Sequence, residues 1–124
     1  MSALNALQIR KRLGRQRFAA PVEFGPSGWK FDPRPGYDAR VIVTEFHYGT
    51  EHEWIHASIS RPDRTPTYED LKLLHAAVFD GGFAYQVFVP TAEHVNIHPY
   101  ALHLFGRVDG SPVLPDFAMG GASI

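Results

Sequence analysis

Residues 66–82 hold a helix whose two ends are written into the sequence, and this stretch constrains the fold more than any other. Pro66 precedes Thr67, whose hydroxyl suits an N-cap, and Asp70 follows three residues later, where a capping-box acid reaches back to the cap N–H. Leu71, Leu74 and Val78 then recur at i, i+3 and i+7, and Gly81-Gly82 stops the element. Glu69 and Asp70 lie in the first turn, where the positive end of the helix dipole favours a carboxylate by about 0.3–1 kcal/mol. Both acids thus have a structural role before any catalytic one is considered.

On either side of the helix the hydrophobic period changes from 3.6 to 2. Residues 40–48 alternate Ile42, Phe46 and Tyr48 with Val41 and Val43, a turn follows at 49–52, and a second run spans 53–60, which reads as a β-hairpin. In that second strand Ile55, Ala57 and Ile59 form the core face, and Trp54, His56, Ser58 and Ser60 point the other way. After the helix, residues 84–89 alternate until Pro90 stops them, and residues 100–105 place Leu102 and Leu104 opposite Ala101, His103 and Phe105. Strand, helix, strand implies a right-handed crossover if the two strands are parallel in one sheet. Residues 20–36 contain Pro21, Gly25, Pro26, Gly28, Pro33, Pro35 and Gly36 and read as an irregular connection, anchored by Phe24, Trp29 and Phe31.

The expected fold is small α+β: a mixed sheet of about four strands with one principal helix on one face. A basic N-terminal arm over residues 1–19 precedes a single domain over 20–109, and an extended tail follows over 110–124. One core suffices at 124 residues. Zero cysteines remove disulfides, thiolate nucleophiles and Cys-ligated zinc. With 44% hydrophobic residues the chain is too apolar to be disordered, and no apolar run reaches a membrane span of about 18 residues.

The net charge of −1 conceals an asymmetry. Arg10, Lys11, Arg12, Arg15 and Arg17 give the first 17 residues five positive charges and no acid, leaving 7 bases against 13 acids, or −6, for the rest. Ala6, Ile9 and Leu13 fall on one side of a helical wheel, with Lys11, Arg12 and Arg15 roughly opposite. Such an amphipathic arm suits nucleic acid or this protein's own acidic body. It lacks the large apolar anchors a membrane surface needs.

Four groups of residues invite chemistry. Ile55-His56-Ala57-Ser58-Ile59 fits the hydrophobic-His-x-Ser/Thr-hydrophobic pattern of two-histidine phosphoesterases, in which each His is acid or base and each hydroxyl steadies a phosphate. The second copy, at Leu102-His103-Leu104-Phe105, has Phe where the pattern wants a hydroxyl, so the transfer stops at His56, Ser58 and His103. The structural alternative is a strand histidine that packs its ring and bonds locally. A metal set is conceivable from Glu93, His94, His98 and His103, with His47, His52 or His56 lent by neighbouring strands, but Pro99 disfavours a helix that would align His94 with His98. Arg61 and Arg64, at a strand end and ahead of a helix N-terminus, resemble an anion clamp, and Trp54 and Gln86 are ligand-facing candidates. The competing reading is a turn in which Asp63 pairs with an arginine. Arg10, Lys11, Arg12, Arg15 and Arg17 are the nucleic-acid candidates.

The strings Trp54-x-His56-x-Ser58-x-Ser60-Arg61-Pro62-Asp63-Arg64-x-Pro66-Thr67-Tyr68-x-Asp70-Leu71 and Val95-Asn96-x-His98-Pro99-Tyr100-x-Leu102-His103-Leu104 resemble a family of short uncharacterised proteins common in actinobacterial phages and prophages. The resemblance covers about residues 54–105. It implies an origin in a phage or prophage and action in the bacterial host cytoplasm or on a virion, and it implies no activity. The expected function is a non-enzymatic binding module that needs no cofactor and engages a protein partner or a second copy of itself. The alternatives are a phosphoesterase-like hydrolase of a nucleotide substrate using His56, Ser58 and His103, and nucleic-acid binding through the basic arm.

Overall fold

The computed structural model describes residues 5–47, 50, 53–79, 86–88 and 100–106, with the backbone alone for 86–88. Its elements in chain order are α1 (Ala6–Leu13), β1 (Val22–Glu23), β2 (Gly28–Phe31), β3 (Arg40–Phe46), β4 (Trp54–Ser60), α2 (Tyr68–Phe79), β5 (Gln86–Phe88) and β6 (Ala101–Gly106). The strands form one sheet in the order β1-β2-β3-β4-β6-β5.

The protein is small α+β, as its patterning implies, with α2 as the longer helix. Two details depart from expectation. The sheet has six strands rather than about four, and every adjacent pair is antiparallel rather than mixed. Since β4 and β5 both run antiparallel to β6, they run in the same direction as each other with β6 inserted between them. The strand, helix, strand unit is therefore a split crossover, in which the parallel strands are not neighbours.

The additional strands, β1 and β2, lie in the stretch that reads as an irregular connection. Its breakers stand at turns and ends rather than inside the ladder. Gly25 turns the chain with φ 67°, and Phe24 N–H donates to Gly28 O at 3.0 Å. Gly28 must lack a side chain, because a Cβ there would lie 2.5 Å from Phe24 O. Of the expected anchors, Phe31 is fully buried and Trp29 partly so, but Phe24 is 44% exposed on the short outer hairpin.

The hairpin of β3 and β4 pairs Val41 with Ile59 and Val43 with Ala57, and β6 continues the row by pairing Ile59 with Leu102 and Ala57 with Leu104. All six are buried, which is the period of two expressed as a core face. Leu74, Ala77 and Phe79 of α2 and Ile9 and Leu13 of α1 join the same cluster. The basic segment is thus docked through α1, which packs on α2. Asn5 caps α1 by accepting from Gln8 N–H at 3.0 Å, and Gly14 ends it with φ 108°.

At α2 the capping box closes in both directions: Asp70 N–H donates to Thr67 Oγ1 at 3.2 Å, and Thr67 N–H donates to Asp70 Oδ2 at 2.9 Å. The expected stop at Gly81-Gly82 and the tail over 110–124 lie outside the described residues.

Candidate functional site

Register brings the two strand histidines together. Between β4 and β6, His56 pairs with Phe105 and Ser58 with His103, so His56 and His103 are diagonal neighbours on the sheet face away from Ile55, Ala57 and Ile59. Their rings lie 5.1 Å apart at 20°, and Nε2 of His56 is 2.8 Å from Nδ1 of His103. One nitrogen donates and the other accepts. Phe105 stacks on His56 at 4.6 Å and 9°, while Trp54 stacks on Phe46 at 3.9 Å and 11° and lies 6.3 Å from Phe105. The face therefore carries an aromatic row from Phe46 through Trp54, Phe105 and His56 to His103.

Burial and the neighbouring ring set the chemistry of this pair. His103 is 7% exposed and Phe105 fully buried. Desolvation, with repulsion from His103, lowers the His56 pKa from 6.5 to about 3. At neutral pH His56 is uncharged. A second proton would turn the contact into two donors facing one another. A phosphate oxygen bridging two imidazole nitrogens at ordinary hydrogen-bond length holds them about 4–5 Å apart. The 2.8 Å contact leaves no such gap. Ser58 shares this face, half-buried, in register with His103.

Arg61 and Arg64 sit in a different constellation. Arg61 donates to both oxygens of Asp70, Nη2 to Oδ1 at 2.6 Å and Nε to Oδ2 at 3.3 Å, and also to Asp38 through Nη1, with its guanidinium 5.0 Å from the Tyr37 ring centroid. Arg64 donates to Asp38 at 3.0 and 3.2 Å and to Asp63 at 2.7 Å. Burial disfavours the charged forms of Asp70 and Arg61, but their mutual hydrogen bonds outweigh it, lowering the Asp70 pKa and raising that of Arg61. Hydrogen bonds from Arg64 and Arg61 likewise lower the Asp38 pKa. Three carboxylates against two guanidiniums leave the cluster at −1, and it ties the end of β4 and the start of α2 to the segment around Asp38.

The remaining candidates are scattered. His47 is exposed with φ 55°, and His52, Glu93, His94 and His98 lie outside the described residues. Among the described residues no three His, Asp or Glu side chains converge as metal ligands. Gln86 is the register partner of Phe105. Arg10 Nε donates to Phe18 O at 3.2 Å, and Arg12 Nη1 reaches Ala77 O at 3.4 Å near the C-terminus of α2, a helix with no basic residue in its own last turn. Lys11, Arg15 and Arg17 are exposed. A separate hollow of about 240 Å³ on α2 is lined by Tyr68, Leu71, Lys72, His75 and Ala76 and shares no residue with the histidine pair.

Sequence reasoning passed over Asp38, Tyr37, Arg34 and the stacking role of Phe105. An acid inside a proline-rich stretch carries no signal of the strand end it will approach, whereas the place of Phe105 beside His56 was implicit in the shared alternation of residues 54–60 and 101–105.

A family model described as a domain of unknown function (DUF7694) matches residues 46–109, from the end of β3 through β6. No curated protein and no solved structure matches.

Proposed function

The chain belongs to the family of domains of unknown function DUF7694, and on that premise we propose that it is a non-enzymatic binding module. One observation carries this reading: the two histidines best placed for catalysis are bonded to each other at 2.8 Å. A general acid needs a pKa near the working pH, and His56, lowered to about 3, is not in the imidazolium form at neutral pH, so it lacks the acidic proton such a step would use. With Phe105 stacked on one imidazole, the pair acts as a polar clasp between β4 and β6.

The half-buried Trp54 and Phe46 stack supports a protein partner or a second copy meeting this face, since aromatic residues are enriched at such contacts. The resemblance of residues 54–105 to phage and prophage proteins supports action in a bacterial host cytoplasm or on a virion. No helix among the described residues is long and apolar enough to cross a membrane.

The test is a turnover assay of the purified chain on 2′,3′-cyclic nucleotides and short linear oligonucleotides. No product above background is expected. Turnover that His56→Ala abolishes would overturn the reading.

A further inference from the structure

Two of the five N-terminal cations are engaged by carbonyls, Arg10 by Phe18 O and Arg12 by Ala77 O. Of the other three, Arg15 and Arg17 are joined by a residue that the sequence places far away. Arg34 N–H donates to Arg17 O at 2.8 Å, and Arg34 Nη1 donates to Arg15 O at 3.1 Å. The loop leaving α1 and the loop after β2 therefore bring Arg15, Arg17 and Arg34 together, just past the last turn of α1, which carries Lys11. All four side chains are exposed, and none forms an ion pair among the described residues.

The neighbouring acids are committed elsewhere. Asp32 accepts from Arg40 at 2.8 Å and lies 3.8 Å from Lys30, and Asp38 accepts from Arg61 and Arg64. The body is acidic overall, yet these two carboxylates are paired with other cations, and the four cations have no carboxylate partner among the described residues. The arginine side chains are also partly positioned: Cδ of Arg17 lies 3.4 Å from where a Cβ of Gly14 would stand, and its guanidinium is 5.9 Å from the Tyr37 ring centroid.

Resting on the binding-module reading, we infer that Lys11, Arg15, Arg17 and Arg34 form a contact surface for the phosphate backbone of a nucleic acid. Three of the four cations are arginines, whose planar forks suit phosphate oxygens. An anionic bilayer is disfavoured because Ile9 and Leu13 are buried in the core, leaving Leu7, 66% exposed, as the sole large apolar side chain α1 offers. The whole patch lies outside residues 46–109, the part that matches the family model. Contacts of this kind read charge rather than base sequence.

The test is fluorescence anisotropy of the full chain with labelled 20-mer duplex DNA and duplex RNA of arbitrary sequence, from 50 to 200 mM salt. Four phosphate contacts give a slope of log K against log salt of about −3.6, or on the order of a hundredfold loss across that range. The variant K11Q/R15Q/R17Q/R34Q is expected to lose nearly all salt-sensitive binding, K11Q/R15Q to reduce the slope by about 2, and the off-patch K72Q to leave it unchanged. Circular dichroism checks folding, and K11Q/R15Q serves if the quadruple variant fails that check. Undetectable binding at 50 mM salt, or full binding by K11Q/R15Q, overturns the inference. So does preferential capture by phosphatidylserine vesicles or polyglutamate that nucleic acid does not compete away. Such failures leave the binding-module reading intact, since only catalytic turnover removes it.

Discussion

Acidification is expected to destabilise this fold well before its carboxylates titrate. His56 has a pKa of 6.5 when solvated and about 3 in the folded chain, where burial and His103 oppose its charge. A group whose folded pKa is depressed contributes stability that is complete above its unfolded pKa and is lost as pH falls from there toward the folded value. The window is therefore pH 6.5 down to 3. At about 1.36 kcal/mol per pH unit, moving from pH 7 to pH 5 costs about 2 kcal/mol. Asp38 and Asp70 do not contribute there, because both are held below the ordinary carboxylate range and lose their share only at lower pH. Urea unfolding followed by Trp fluorescence measures the effect: with an m-value of about 2 kcal/mol/M, the midpoint falls by about 1 M between pH 7 and pH 5. His56→Gln removes the titrating ring and is expected to cut that fall to less than half. A midpoint independent of pH over this range, or a full shift retained in His56→Gln, would refute the reasoning.

Two further outcomes follow from the geometry. Asp70→Ala removes one of the two carboxylate partners of Arg61 and one side of the α2 capping box, at a cost of about 2 kcal/mol with Asp38 still in place, whereas exposed Glu69, 4.0 Å from Lys72, costs less than about 0.5 kcal/mol as Ala; equal losses in urea titrations would contradict this assignment. Gly28→Ala places a methyl 2.5 Å from Phe24 O and is expected to lower Tm by several degrees with loss of the β1–β2 hairpin, so an unchanged Tm would show that β2 has room to shift.

The parts of the fold that were legible in the sequence are those in which one local rule acts alone. Thr67 and Asp70 announce the start of α2 because a capping box is complete within four residues. Ile55, Ala57 and Ile59 announce the core face of β4 because period two needs no knowledge of the partner. The β1–β2 hairpin was not legible, since Pro21, Gly25, Pro26 and Gly28 have the composition of a loop and only their positions relative to β3 make them a sheet edge. The mixed sheet failed for a similar reason. Strand, helix, strand says that β4 and β5 are parallel but not that β6 separates them. The histidine pair was half legible: alternation put His56 and His103 on one face, while their direct bond depends on a diagonal register between strands 47 positions apart. The joining of Arg34 to Arg15 and Arg17 left no local trace, because it arises where two loops meet.

The histidine pair as a structural clasp, and so the non-enzymatic reading, is tested most directly by long-range ¹H–¹⁵N NMR of the imidazole nitrogens between pH 5 and 8. The account predicts that His56 remains neutral throughout, one of its nitrogens protonated and the other not, with Nε2 sharing a single proton with His103 Nδ1. A His56 ring that titrates near pH 6.5 with both nitrogens protonated below it would contradict the account and return His56 to the set of usable acids and bases.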